Sequence, residues 1–183
     1  MTGWKLIAIR MSSSVFVLLL ACSIYYSFAA AVTKGDLFNG ARTLDGLEFI
    51  RQADIAEYKA IKLIRKSAGR NSAVLEGVGE DYSDFGRVSS STGVPTVLGW
   101  IGHQSQWRGS KELYEGRELD VRTIYETQDM EEAKTLLAKY NIDFVYVGSR
   151  ETGKYGTRGL TKFPEFMDIL FAENGVAVYR IRP

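Results

Sequence analysis

Apolar and polar positions divide the chain into one uninterrupted apolar block and a longer region of shorter periods. Residues 11–33 carry no charged side chain, and 15–32 (VFVLLLACSIYYSFAAAV) form the apolar body. A helix rises about 1.5 Å per residue, so ~20 such residues cross the hydrocarbon core of a bilayer. Lys5 and Arg10 precede the block, and Lys34 with Asp36 closes it. Positive charge ahead of the span predicts a single-pass protein of the cell membrane, with a cytoplasmic N-terminus and an extracytoplasmic C-terminal domain. Tyr25, Tyr26 and Phe28 suit the outer interface. Two rival readings share the segment. A cleaved signal peptide has an A-x-A site at Ala29-Ala30-Ala31, but the run is long for one. A lipoprotein signal would end at Leu19-Leu20-Ala21-Cys22, yet the residues after Cys22 stay apolar where a lipid tether turns polar.

Residues 35–53 read as a connector leading off the membrane. Asp54 and Glu57 have capping-box spacing. Ile55, Tyr58, Ile61 and Ile64 follow at helical intervals, with Lys59, Lys62, Arg65 and Lys66 turned outward. That helix ends at 69–71. Residues 73–78 and 96–100 have the short apolar runs of strands. A helix is expected over 117–127, burying Leu119, Val121, Ile124 and Tyr125. A second capping box, Asp129 with Glu132, opens a helix that buries Ala133, Leu136, Leu137 and Tyr140. Residues 143–148 (DFVYVG) make the clearest strand. A glycine-rich loop, a short helix near 163–172, a turn at Asn174-Gly175 and a last strand over 176–181 complete the reading. Strands alternating with helices predict an α/β fold: a small mixed sheet of about four strands flanked by helices, preceded by one transmembrane helix. The expected division is 1–34 for the cytoplasmic stub and membrane helix, 35–53 for the connector and 54–183 for the extracytoplasmic domain.

Composition narrows the functions. With a formal charge of +1 over 183 residues and no run of five like charges, nothing draws the chain to nucleic acid. The single cysteine, Cys22, lies in the apolar block, which excludes an internal disulfide framework. An ordinary hydrophobic core must therefore hold the domain.

Several motifs match known chemistry only in part. Residues 148–154 (GSRETGK) follow a strand and fit the first seven positions of a phosphate-cradling loop. The eighth position is Tyr155, which lacks the small hydroxyl for Mg²⁺, and Gly156 and Gly159 disfavour the helix that should follow. Gly77-Val78-Gly79 opens like a dinucleotide fingerprint, but Tyr82 stands where the third glycine belongs and Glu80, Asp81 and Asp84 would repel a pyrophosphate. One histidine and scattered carboxylates give no metal-ligand spacing, so neither a metal nor a cofactor is expected. Paired carboxylates among Glu76, Glu80, Asp81 and Asp84 would serve a glycoside hydrolase if two of them faced one pocket. No serine sits in a G-x-S-x-G elbow.

The densest cluster of unusual residues is the stretch 76–109, which holds the only histidine and two of the three tryptophans. If 102–107 is helical, Trp100, His103 and Trp107 fall at i, i+3 and i+7, on one side. Aromatic faces stack on sugar C–H surfaces, Gln106 and His103 supply directional hydrogen bonds, and Arg108 grips an anion. Glu80, Asp81 and Arg87 are expected across the cleft from this segment. The plainer alternative has the tryptophans packed on the sheet and His103 serving a backbone carbonyl.

Read in order, Arg42-Thr-Leu-Asp-Gly46, Glu57-Tyr-Lys-Ala-Ile61, Glu76-Gly-Val-Gly79, Gly86-Arg-Val-Ser89, Leu98-Gly-Trp100, His103, Gln106-Trp-Arg-Gly109, Asp120-Val-Arg-Thr-Ile-Tyr125 and Val176-Ala-Val-Tyr-Arg180 resemble the C-terminal, extracytoplasmic end of the YYY-type polytopic membrane protein family of archaea and Chloroflexi. That family resembles GT-C glycosyltransferases, which use lipid-phosphate-linked sugars. The resemblance implies a partner that is a polytopic membrane protein and a glycan or polyprenyl-phosphate sugar as ligand. Members carry many membrane helices before this region, and the GT-C catalytic acid lies in an early outer loop. No catalytic residue therefore transfers to this sequence. The expectation is a non-catalytic domain that assists a glycosyltransferase-like membrane protein. A purely structural or assembly domain is the alternative, and a hydrolase-like enzyme the third reading.

Overall fold

The computed structural model describes residues 3–39 and 43–182. Arg42, which opens the Arg42–Gly46 block, lies outside them. The chain forms two compact units, Met1–Gly46 and Leu47–Pro183, taken here one at a time.

The first unit is built on helix α1 (Gly3–Lys34), which buries no residue within the unit and is long and apolar enough to cross a membrane. Two of its five serines, those inside the apolar body, are satisfied within the helix. Ser23 donates to the Leu19 carbonyl and Ser27 to the Ser23 carbonyl, both at 2.9 Å, so neither hydroxyl needs a partner from the surroundings. A short 3₁₀ turn, Asp36–Phe38, follows.

The second unit is a four-stranded sheet covered on both faces. In chain order its elements are α2 (Glu48–Ala53), α3 (Ile55–Ser67), β1 (Ala73–Leu75), α4 (Arg87–Thr92), α5 (Ile101–Arg108), α6 (Arg117–Glu126), α7 (Met130–Lys139), β2 (Ile142–Val147), α8 (Ser149–Tyr155), α9 (Phe163–Phe166), β3 (Met167–Glu173) and β4 (Val176–Ile181). The strand order is β1-β2-β4-β3. β1 and β2 run parallel, and the other two pairs are antiparallel. The sheet is therefore mixed, as the alternation of periods predicts.

Period-two alternation sorts the core into two layers. Phe144 and Tyr146 of β2 join Val74, Val176 and Val178 on the face covered by Ile50, Ile61, Ile64 and Val88. Val145 and Val147 join Leu75 on the face covered by Val121, Ile124, Leu137 and Phe163. β2, central and buried along nearly its whole length, serves both layers.

Three predicted elements differ. Residues 96–100 do not form a strand. Thr96 makes only an isolated bridge to Val74, while the Pro95 carbonyl accepts the Val74 N–H at 2.9 Å. The helix expected near 163–172 stops after Phe166, and the chain turns into β3. The reason lies downstream: Asn174 (φ 48°) and Gly175 (φ 79°) make a two-residue turn of the kind that closes β-hairpins. β4 then supplies partners from Met167↔Ile181 to Glu173↔Val176. The glycine-rich segment after β2 is helical as α8. Helix α2 adds a further element inside the stretch read as connector.

Both predicted caps form, but only in half. Asp54 accepts the N–H groups of Ala56 and Glu57, and Asp129 those of Glu131 and Glu132. The reciprocal bond of a capping box is missing, because the Asp54 N–H goes to the Ile50 carbonyl. Glu57 points inward instead. Its side chain is 4% exposed and accepts from Arg150 Nη1 at 2.9 Å and Arg87 Nη1 at 3.4 Å. One carboxylate thus ties α3 to α4 and α8. Removing one partner of a buried pair leaves charge uncompensated and costs about 3–5 kcal/mol. We expect Glu57→Ala to lower the unfolding free energy by about 3 kcal/mol or more in urea denaturation; a loss below about 0.5 kcal/mol would contradict this role.

Candidate functional site

The stretch 76–109 begins where β1 stops. The chain beyond Leu75 stays buried to Val78 without a strand partner, so its backbone groups must be satisfied some other way. Helix α8 does this. Glu151 Oε1 accepts the Gly77 N–H at 2.9 Å, Tyr155 Oη accepts the Val78 N–H at 3.0 Å, and Lys154 Nζ donates to the Val78 carbonyl at 2.6 Å. Glu151 Oε2 also accepts the Gly148 N–H at the start of its own helix, at 2.9 Å. The residues that imitate a phosphate loop in sequence are thus committed to holding Gly77-Val78. The two glycine-rich motifs that looked like separate nucleotide signals are halves of one structural joint.

Helix starts in this stretch are capped from a distance. Gly86 precedes α4 and has no side chain to cap with, so Glu76 does so from twelve residues away: its carboxylate accepts Val88 N–H at 2.8 Å and Ser89 N–H at 2.9 Å. Trp100 precedes α5 without a side-chain cap, and Asp81 Oδ1 accepts the Gly102 N–H at 3.0 Å. A Cβ at Gly102 would run into the Asp81 carboxylate, so a larger residue there displaces this cap.

The acidic loop and the aromatic segment meet at three rings. Tyr82, Trp100 and His103 lie with centroids 5.1–5.2 Å apart, His103 edge-on to both partners. His103 Nε2 is 3.1 Å from the Tyr82 hydroxyl. Trp100 Nε1 donates to the Phe85 carbonyl at 2.8 Å. Tyr82 is 78% exposed and holds a left-handed backbone at φ 58°. Helix α5 carries Trp107 outward at 82% exposure, while Arg108 donates to Gln104. Gln106 and Arg108 are exposed on the same helix.

Asp81, Trp100 and His103 are therefore brought together, and Trp107 stands free on the next turns of α5. Glu80 is exposed, and its carbonyl accepts from Ser83. Arg87 is paired with Glu57 and Asp84. It lines a cleft of about 320 Å³ with Phe49, Ser89, Ser90 and Trp100 among the other walls. Sequence reasoning passed over Tyr82, although an aromatic residue between two acids in a glycine-rich stretch was a usable signal. It also missed Arg150, which reaches Glu57 across 93 residues with no local pattern to betray it.

Three of the four carboxylates weighed for hydrolysis are engaged in contacts within the fold. Glu76 has both oxygens on backbone N–H groups and is 2% exposed, Asp81 caps α5, and Asp84 faces arginines. Among the described residues no three His, Cys, Asp or Glu side chains converge as metal ligands.

No family model and no curated protein matches the chain. Among solved structures it is similar to the C-terminal globular domain of an oligosaccharyltransferase from Archaeoglobus fulgidus, with a TM-score of 0.46 and 12% identity over 68% of this chain and 95% of that one.

Burial pushes the Glu76 carboxyl up to about 6 from 4.5, against the opposing pull of its hydrogen bonds to Ser89 and Val88. The folded state thus holds this proton more tightly than the unfolded chain. The stability it adds is complete below about pH 4.5 and is lost as pH rises through about 6, roughly 2 kcal/mol in all. Burial raises Glu151 in the same direction. Urea denaturation at pH 4.5 and 7.5 is expected to show a fall of about 2 kcal/mol more in the wild type than in Glu76→Gln; parallel profiles would contradict it.

Proposed function

We propose that the Leu47–Pro183 unit is an extracytoplasmic, membrane-anchored domain that binds glycan, or the sugar of a polyprenyl-phosphate-linked donor, for a polytopic GT-C-like membrane partner. One observation carries the reading: Tyr82, Trp100 and His103 form a ring cluster at the start of a helix that also presents Trp107 to solvent. Exposed aromatic rings edged by polar groups are what a sugar needs, because its C–H faces stack while its hydroxyls take directional bonds. His103, Gln106 and Arg108 supply such groups along α5. The apolar α1 and the ordered resemblance of the Thr43–Gly46, Glu76–Gly79 and Gln106–Gly109 blocks support the membrane setting. The chain acts by binding and positioning, with the chemistry supplied by the partner.

An assembly role draws on the same exposed indole, which also suits a protein surface. Binding of free glycan separates the two. Titration of neutral oligosaccharides into the full chain in detergent is expected to show saturable binding that weakens about tenfold in Trp107→Ala. Trp107 is exposed, so the variant keeps its fold. Equal binding by both proteins, or none by either, would overturn the assignment.

A further inference from the structure

Two guanidiniums, Arg87 and Arg150, meet two carboxylates, and the two carboxylates are not equivalent. Glu57 is buried and bridges both arginines from below, so it cannot leave without unfolding the joint between α3, α4 and α8. It neutralises one of the two positive charges. Asp84 neutralises the other from above: Oδ1 pairs with Arg87 Nη2, and Oδ2 lies 3.8 Å from Arg150 Nη2. Asp84 is 67% exposed and sits in the loop between Tyr82 and Gly86, outside any helix or strand. Asp84 is thus the one mostly exposed member of the cluster, where water competes with its ion pairs, while Arg87 and Arg150 stay largely covered.

We propose that the slot facing Arg87 and Arg150 is a carboxylate-binding subsite, filled by Asp84 in the free protein and taken over by the carboxylate of an acidic sugar when ligand binds. The inference rests on the glycan reading above and names the class of glycan. The two oxygens of Asp84 each face one guanidinium, Oδ1 in contact with Arg87 and Oδ2 3.8 Å from Arg150, so one planar carboxylate addresses both cations. The charge left after Glu57 is a single positive one, which matches a monoanion. The cleft that opens beside Arg87 has about 320 Å³, the lower end for small-molecule sites. Phe49 and Trp100 offer ring faces, and Ser89 and Ser90 offer hydroxyl groups, beside the slot. Trp100 belongs both to this cleft and to the ring cluster, so an acidic residue here continues onto the aromatic surface.

The test is calorimetric titration of D-glucuronate, D-glucose and inorganic phosphate into the full chain in detergent. Asp84→Asn frees the slot without touching Glu57. It is expected to bind glucuronate about fivefold more tightly than the wild type, with glucose unchanged. Arg150→Lys in the Asp84→Asn background, checked by thermal melting, keeps the charge and loses the fork. It is expected to abolish the gain. No gain in an Asp84→Asn protein that melts as the wild type does would overturn the proposal, and a larger gain for phosphate than for glucuronate would overturn the carboxylate assignment. Loss of the glucuronate response with neutral-glycan binding intact strikes this subsite alone. Loss of neutral-glycan binding with the glucuronate response intact strikes the Trp107 surface alone.

Discussion

Strand β1 ends at Leu75, yet the chain stays buried for three more residues. Backbone groups buried without a ladder partner carry a heavy penalty, and the outer half of the domain is arranged around avoiding it. Glu151, Lys154 and Tyr155 of α8 satisfy Gly77 and Val78, and Tyr125 stacks on Tyr155 with ring centroids 4.8 Å apart to hold the hydroxyl in place. Once Gly77-Val78 is fixed, Glu76 is fixed beside it, and Glu76 in turn caps α4. The loop that follows is then anchored at one end by α4 and at the other by Asp81 on α5. The exposed rings sit at the end of this sequence of contacts. Their placement is inherited from the carboxylates of Glu76, Asp81 and Glu151.

Much of the fold was legible because much of it is periodic. α3, α6, α7 and β4 show the helical or two-residue spacing of their buried side chains, β2 is a continuous apolar run from Phe144 to Val147, and Asp54 and Asp129 mark two helix starts. What was not legible depended on partners far along the chain. Residues 167–173 have no decisive period of their own and become a strand because β4 lies beside them across a tight turn. α8 forms despite its glycine, with Glu151 reaching back to the Gly148 N–H at its start. Residues 96–100 look like a strand, yet only Thr96 reaches the sheet, at an isolated bridge.

The site divides in the same way. The clustering of aromatic and acidic residues over 76–109 is visible in the sequence, and Asp81, Trp100 and His103 do converge. The position of Arg87 is not visible, because it is set by Glu57 and Arg150 from opposite ends of the domain. That pairing removes Arg87 from the ring cluster and makes it the wall of a neighbouring cleft. Residues that look alike in a list of polar candidates thus split between a ring cluster and an ion-pair cluster, and burial of their partners makes the division.

Buried carboxylates hold the backbone from Gly77 to Ser89 in one arrangement, and the ring cluster with it. Native-state amide hydrogen exchange tests it most directly. The amides of Gly77, Val88 and Ser89, each bonded to a buried carboxylate, are expected to exchange as slowly as those of Phe144–Val147 in β2. Exchange at these three positions as fast as in the exposed loop around Ser83 would contradict it.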